Sequence, residues 1–191
     1  MNIGIVVEGD HDSATYAELI RKVRDDIEKI HPIICGDVVK LKTNFVGWLK
    51  HFEWHATIIP DKVLVIMDSD CSDASASETQ LRQIYEQACF VPRFPVHFHA
   101  TKCEIETWLL ADENAINRLS QLRGKNKQVA AVTIRLESHR DAKELFHKVL
   151  SRADLPADAQ VYKEIAAAAD IGRIATRCPS FQEFADKVRA G

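Results

Sequence analysis

The chain contains two short, uninterrupted apolar runs, and each run ends at an acidic residue. The first run covers residues 3–7 and stops at Glu8, and the second covers residues 63–67 and stops at Asp68. Unbroken, β-branched runs of this length are typical of strands that are buried on both faces of a parallel sheet. Because open parallel sheets bind ligands outside the carboxyl ends of their strands, we expect Glu8, Asp68 and the nearby Asp70 to share one crevice.

Strand and helix patterns alternate through residues 1–112, which predicts βαβ units. We therefore expect an α/β fold, with an open, mainly parallel four-stranded sheet and helices on both faces. The predicted strands cover residues 3–7, 37–42, 62–68 and 94–99. The predicted helices of this core begin near residue 12 and at residues 44 and 75.

Beyond residue 112 the strand pattern stops, and four segments have helical spacing: 113–122, 141–150, 157–169 and 180–190. We expect residues 113–191 to form a helical C-terminal extension that packs on the core, because its apolar side chains need a surface to cover.

The overall composition narrows the class of protein. A chain of 191 residues is long enough for one well-buried domain, and no apolar segment approaches the roughly 20 residues that cross a bilayer. The N-terminus shows no leader pattern. The cysteines contain no CxxC pair, which indicates reduced thiols in a cytoplasmic protein; they are Cys35, Cys71, Cys89, Cys103 and Cys178.

The three strand-end acids favour a metal site. Carboxylates that share a crevice raise one another's pKa, and a divalent cation removes that penalty. Oxygen ligands suit Mg²⁺, or Mn²⁺ in its place. We predict that Glu8, Asp68 and Asp70 are metal ligands; the alternative is that such acids only cap helices or solvate loops.

A further acidic segment follows the fourth predicted strand. Glu104 and Glu106 lie about 200° apart on a helix, because successive residues are about 100° apart, so we do not expect both to bind one ion. Lys102 could hold a phosphate or offset charge at a reacting centre, or it could be a surface lysine. The candidate catalytic residues are Glu8, Lys102, Glu104 and Glu106.

Two histidine pairs offer other possibilities. His51 and His55 have the spacing of some zinc sites, but no third ligand is evident, and we favour a structural role. His97 and His99 share one face of the fourth predicted strand, from which they could approach the crevice.

These residues resemble a known family. Val7-Glu8-Gly9 after the first strand, Asp68-Ser69-Asp70 after the third and a basic-acidic motif after the fourth are similar to the Toprim fold of topoisomerases, primases and OLD-type nucleases. The fuller string of residues 104–112, with Tyr162-Lys163 and residues 178–181, resembles small stand-alone bacterial Toprim-like proteins of unassigned function.

The resemblance implies Mg²⁺-dependent cleavage of phosphodiesters in DNA or RNA. In that scheme Asp68 and Asp70 hold the ion, Glu8 is a further ligand or the general base, and Lys102 offsets developing charge. It also implies an ABC-type ATPase partner in a bacterial, phage-defence type of system. Whether the chain forms a homo-oligomer is left open.

Two other functional classes remain open. One is a HAD-like phosphatase or nucleotidyl-transfer enzyme that uses Asp68 as its nucleophile, and the other is a non-catalytic interaction subunit. The net charge of −3 offers little general attraction for nucleic acid. The candidate basic residues can form only a small patch, which also favours a partner; they are Lys40, Lys42, Lys102, Arg123, Lys125 and Lys127.

Overall fold

A computed structural model describes residues 1–190 and contains one four-stranded, wholly parallel sheet. Its strands are β1 (Asn2–Val7), β2 (Lys29–Ile34), β3 (Lys62–Asp68) and β4 (Val96–Thr101). They lie side by side in the order β2-β1-β3-β4. The predicted α/β fold class is therefore confirmed.

Helices cover both faces of this sheet. The helices between strands are α1 (Asp10–Val23), α2 (Val38–Trp54) and α3 (Ala74–Gln87). Those that follow the sheet are α4 (Glu106–Leu109), α5 (Glu113–Leu122), α6 (Ala142–Arg152), α7 (Ala159–Ala168), α8 (Ile171–Arg177) and α9 (Pro179–Arg189). A short 3₁₀ turn, Leu136–Ser138, precedes α6.

Alternate side chains of the central strands enter two separate cores. Ile5 and Leu64 belong to the larger core, which they share with α1 and the C-terminal helices. Val6 and Val65 belong to the smaller core beneath α2 and α3. In the smaller core, Gly4 allows close packing, because a Cβ there would lie only 2.9 Å from Val63 Cγ2. The two cores explain why both central strands contain an unbroken apolar run, over residues 3–7 and 63–67.

The predicted second strand is wrong. Residues 37–42 begin α2, and the Asp37 carboxylate caps this helix by accepting a hydrogen bond from the Lys40 amide at 2.8 Å. The true β2 lies earlier and contains Pro32. Proline is tolerated there because β2 is an edge strand, on which one row of amides needs no partner strand.

The C-terminal helices lie against the core of the fold. Helix α7 packs along α1, and α9 contacts both α1 and β4. The division of the chain at residue 112 stays a prediction. Among residues 1–190, no helix is long and apolar enough to span a membrane.

Candidate functional site

Successive strands of the sheet are placed on opposite sides of β1, which makes this strand the switch point of the topology. From β1 the chain passes to β2 on one side and then to β3 on the other, so the carboxyl ends of β1 and β3 flank a crevice. A cavity of about 400 Å³ opens there. Its lining includes seven acidic residues: Glu8, Asp10, Asp12, Asp68, Asp70, Glu104 and Glu106. All five acids that the sequence nominates thus line one cavity.

Glu8 is oriented by the neighbouring strand. Its Oε1 accepts a hydrogen bond from the Asp68 amide at 3.0 Å. Burial raises the pKa of Glu8, and the negative charges of Asp12 and Asp70 raise it further, against the opposing effect of this hydrogen bond. The carboxylate therefore reaches across to the end of β3, as a shared site requires.

Asp68 lies among several other acids of the cavity. Loss of hydration raises its pKa well above the ordinary value, and the charges of Asp12, Glu106 and Glu8 add to that effect. The hydroxyl of Tyr16 is 3.5 Å from Asp68 Oδ1 and 2.5 Å from Thr101 Oγ1. A positive charge in the cavity would thus stabilise the ionised form of Asp68.

Asp70 lies in a strained loop. Its φ is 48°, and Cys71 and Cys103 also have positive φ, at 56° and 65°. Such values are uncommon for residues other than glycine, and they persist only where the surroundings enforce them. The Asp70 amide donates to the Cys103 carbonyl at 3.0 Å, which joins the loops after β3 and β4.

The same two loops are joined by a disulfide between Cys71 and Cys103. The prediction that all five cysteines are free thiols is therefore wrong for this pair, while Cys35, Cys89 and Cys178 are free. The two cysteines are 32 residues apart, a spacing that matches no short motif. They meet because the loops after neighbouring parallel strands lie side by side.

Glu104 and Glu106 reach the cavity through different supports. Glu104 Oε2 accepts a hydrogen bond from the Lys143 amide at 2.9 Å, at the beginning of α6. Glu106 accepts one from the hydroxyl of Tyr162 at 2.8 Å, and burial raises its pKa. The ring of Tyr162 stacks on His11, with 4.7 Å between the ring centroids. The acids are thus fixed by the helical extension.

Comparison with known proteins places the chain in a family. The family model described as "Domain of unknown function (DUF4276)" matches residues 7–189. The chain belongs to this family. No curated protein matches it. A solved structure, the C-terminal region of the Burkholderia pseudomallei OLD protein, is similar in fold to this DUF4276 chain. It is 18% identical, with a TM-score of 0.50, and the match covers 97% of this chain and 98% of the other.

Sequence reasoning missed four residues of the DUF4276 cavity, namely Asp10, His11, Asp12 and Lys143. Asp12 accepts a hydrogen bond from the Gly9 amide at 2.9 Å, and burial raises its pKa. Its position three residues after Gly9, at the start of α1, is the available signal in the sequence. Lys143 arrives from α6, and no local pattern connects it with the strand ends.

Lys102 does not line the cavity. It lies in an adjacent groove with Arg135 and Arg140, whereas the lysine within the cavity is Lys143. Three other basic residues of the predicted patch are paired with acids: Lys40 with Asp37, Arg123 with Glu164 and Lys125 with Asp154. The charge of Lys42, another residue of that patch, lowers the pKa of Glu8 against the raising effect of burial. The lysine that lines the cavity, Lys143, is one that the sequence did not nominate.

The histidine pairs lie elsewhere. Neither His97 nor His99 lines the cavity, and the buried His99 has its Nδ1 3.3 Å from Lys187 Nζ. The possibility that this pair approaches the crevice is not realised, because their positions on β4 precede its carboxyl end. His51 and His55 lie on and just beyond α2, beside Trp48 and Trp54.

The donor chemistry of the cavity suits Mg²⁺, which prefers carboxylate oxygens. Within residues 1–190, however, no three side chains of His, Cys, Asp or Glu are grouped closely enough to hold an ion as they stand. The cavity therefore fits Mg²⁺ in the chemistry of its donor atoms and in its position at the edge of the sheet. Raised pKa values at Glu8, Asp12, Asp68 and Glu106 are the electrostatic condition that a cation would relieve.

Proposed function

We propose that this protein is a Toprim-like enzyme that cleaves phosphodiester bonds of DNA or RNA with the help of Mg²⁺. The observation that supports this most is the convergence of acids from β1, β3 and the segment after β4 on one cavity at the switch point of a parallel sheet. The likeness to the OLD C-terminal region agrees with the Toprim assignment.

In this proposal Glu8, Asp68 and Asp70 would hold the ion. When bound, Mg²⁺ polarises a phosphate oxygen and lowers the pKa of a water molecule. Glu104, turned by the Lys143 amide, is placed to accept a proton from attacking water. Lys143 is the cation within the cavity that offsets negative charge developing on the phosphate. Tyr162 keeps Glu106 facing the cavity.

A partner protein completes the proposal. Seven acids around the cavity repel a polyanion until cations are bound. An ABC-type ATPase that brings the substrate to the site would overcome this repulsion, and the resemblance to OLD-type nucleases implies such a partner. We expect the lone chain to cleave slowly and the addition of such an ATPase to raise the rate.

The test is cleavage of labelled DNA and RNA, single-stranded and duplex, with Mg²⁺, Mn²⁺ or EDTA. We expect cleavage by the wild type with either metal and none in EDTA. Asp68→Asn should reduce the rate by at least about 100-fold, since it removes a charge aimed at the reacting centre. Glu183→Gln, on the exposed side of α9, removes the same charge elsewhere and should have no effect.

Two results would refute the proposal. The first is equal cleavage by the wild type and a folded Asp68→Asn variant, which indicates a contaminating nuclease or another site. The second is an absence of cleavage under every condition, with the ATPase included. That outcome would favour the non-catalytic interaction subunit.

A further inference from the structure

A basic groove adjoins the acidic cavity. It encloses about 740 Å³ and is lined by four basic residues, Lys102, Arg135, Arg140 and Arg177, and by one acid, Glu137. Cys71 also lines this groove, and it directly follows Asp70 of the cavity. The two sites thus share a border and have opposite charge.

One chain segment supplies cations to both sites. Arg135 and Arg140 line the groove, and Lys143, three residues further along, lines the cavity. This segment passes close to the border, where the carbonyl oxygen of His139 lies 3.4 Å from the disulfide sulfur of Cys71. The Lys143 amide then bonds to Glu104. The backbone that carries the groove cations is therefore connected to the acids through the Lys143 amide.

Three of the cations have no partner in the protein. Lys102, Arg135 and Arg140 are exposed, and within residues 1–190 their side chains form no ion pair or hydrogen bond. Arg177 is different, because it donates to the Ala111 carbonyl at 2.8 Å and so supports the wall.

The single acid of the groove is already engaged. Glu137 Oε1 accepts a hydrogen bond from the Ser180 amide at 2.8 Å, at the beginning of α9. It therefore stabilises this helix end, and with four cations against this one carboxylate the groove keeps an excess of positive charge. Uncompensated cations beside a site for phosphate chemistry match the repeated charges of a nucleic-acid backbone, which are positioned mainly by Arg and Lys.

We propose that this groove binds the phosphate backbone of a nucleic-acid strand next to the phosphodiester that enters the acidic cavity. The inference rests on the proposed function, and it adds the surface along which the substrate strand lies. A strand that crosses the Cys71 border has its reacting phosphate among the acids and its neighbouring phosphates at Arg135 and Arg140. The groove then supplies the attraction that the cavity lacks.

The test measures binding of labelled single-stranded and duplex oligonucleotides in EDTA over a range of salt concentrations, so that cleavage plays no part. The variant is Arg135→Gln with Arg140→Gln, which leaves Lys102 intact. We expect its affinity at low salt to fall at least about tenfold. The slope of log affinity against log salt should become shallower by about 1.4 for single strands, since each lost phosphate contact removes about 0.7.

The matched control is Lys29→Gln with Arg82→Gln, which removes two exposed cations that form no ion pair and line neither the groove nor the cavity. It should bind as the wild type does. Equal binding by the two double variants overturns the proposal, and so does a wild type that binds no oligonucleotide. Poly-glutamate is a polyanion without phosphates. If the wild type binds it as tightly as the oligonucleotides, and the groove variant loses both to the same extent, the proposal is also overturned.

Cleavage assays separate this inference from the function on which it rests. With Mg²⁺, the groove variant should show a raised KM and a kcat close to that of the wild type, whereas Asp68→Asn loses turnover. If the groove variant cleaves as fast as the wild type at every substrate concentration, the groove proposal is refuted and the nuclease proposal is not. Binding through the groove without any cleavage supports the groove and refutes the nuclease proposal.

Discussion

At the scale of single residues, the site is a collection of carboxylates whose charges oppose one another. Glu8, Asp12 and Asp68 each have a raised pKa, first because of lost hydration and then because of neighbouring acids. Such an arrangement destabilises the folded protein in the absence of a cation. Groups in a cleft whose pKa is perturbed by burial and by neighbouring charges are typical of functional sites.

This electrostatic strain leads to a prediction for Asp68→Asn. Removing one of the mutually repelling charges should leave the thermal midpoint in EDTA level or raise it, and each kcal/mol gained corresponds to about 2–4 °C for a chain of this size. Added Mg²⁺ should raise the midpoint of the wild type but not that of the variant. Differential scanning fluorimetry at two Mg²⁺ concentrations gives both numbers. A clear fall in EDTA would assign Asp68 to structure.

At the scale of elements, Glu78 on α3 connects three of them. Its carboxylate accepts hydrogen bonds from Lys187 Nζ on α9 and from the Ala100 amide on β4, the latter at 3.1 Å. Burial alone would raise the pKa of Glu78, but the hydrogen bonds from His99 and Lys187 lower it to about 2. The ionised carboxylate therefore holds α9 against the sheet.

Glu78→Gln should lower the free energy of unfolding at pH 7 by about 1–3 kcal/mol, the usual loss for a hydrogen bond to a charged group. The folded pKa is below the ordinary value of 4.5, so the contribution of Glu78 is complete above about pH 5. It disappears as the pH falls towards 2, and the two proteins should converge there. Urea unfolding across this range tests the sign. The matched control is Glu86→Gln on the same helix, which is exposed and unpaired; a loss equal to that of the control would contradict the role of Glu78.

The elements also show what the sequence could predict and why. Strands β1 and β3 are buried on both faces, so each has an unbroken apolar run, over residues 3–7 and 63–67, and the ends of these runs are evident. Edge strand β2 is half exposed and has no such pattern. The Val38-Val39 pair looked like a strand, but the Asp37 cap makes it the beginning of α2. Because β1 and β3 are buried on both faces, the acids at their ends could be predicted from the sequence. Edge strand β2 is not buried in this way, so its position could not be predicted.

At the scale of the whole molecule, a buried lysine joins the central sheet to the end of helix α9. Lys62, at the beginning of β3, is fully buried, and its Nζ donates to the carbonyls of Lys187, Val188 and Ala190 at the end of α9. Burial lowers the pKa of Lys62 to about 8, which leaves the ammonium charged at pH 7. Cations at a helix C-terminus are favourable. The last helix is thus anchored to the central sheet.

Lys62→Met retains most of the volume but leaves these carbonyls without their donor. We expect a loss of about 2–4 kcal/mol, because each buried group left unsatisfied costs about 1–3 kcal/mol. Because α9 shares the larger core with α1, unfolding should remain a single transition. Denaturant curves followed by fluorescence and by circular dichroism should coincide. Two separate transitions would show that the helical extension unfolds independently of the core.

The whole molecule also explains why part of the site could not be read from the sequence. Lys143, Arg135 and Arg140 lie in the region after the sheet, and only the packing of α6 brings them beside the strand ends. Local patterns report burial and secondary structure, but they do not report which distant helix covers a crevice. The acids at strand ends were predictable because the parallel topology places them there.

The central claim is that the acids at the ends of β1 and β3 form a divalent metal site. The most direct measurement is titration of the protein with Mn²⁺, with the free ion followed by electron paramagnetic resonance. We predict that the wild type and Glu183→Gln bind with the same affinity, whereas Asp68→Asn and Glu8→Gln bind at least about tenfold more weakly, since each loses a charged ligand. Unchanged Mn²⁺ affinity in both folded site variants would contradict the account.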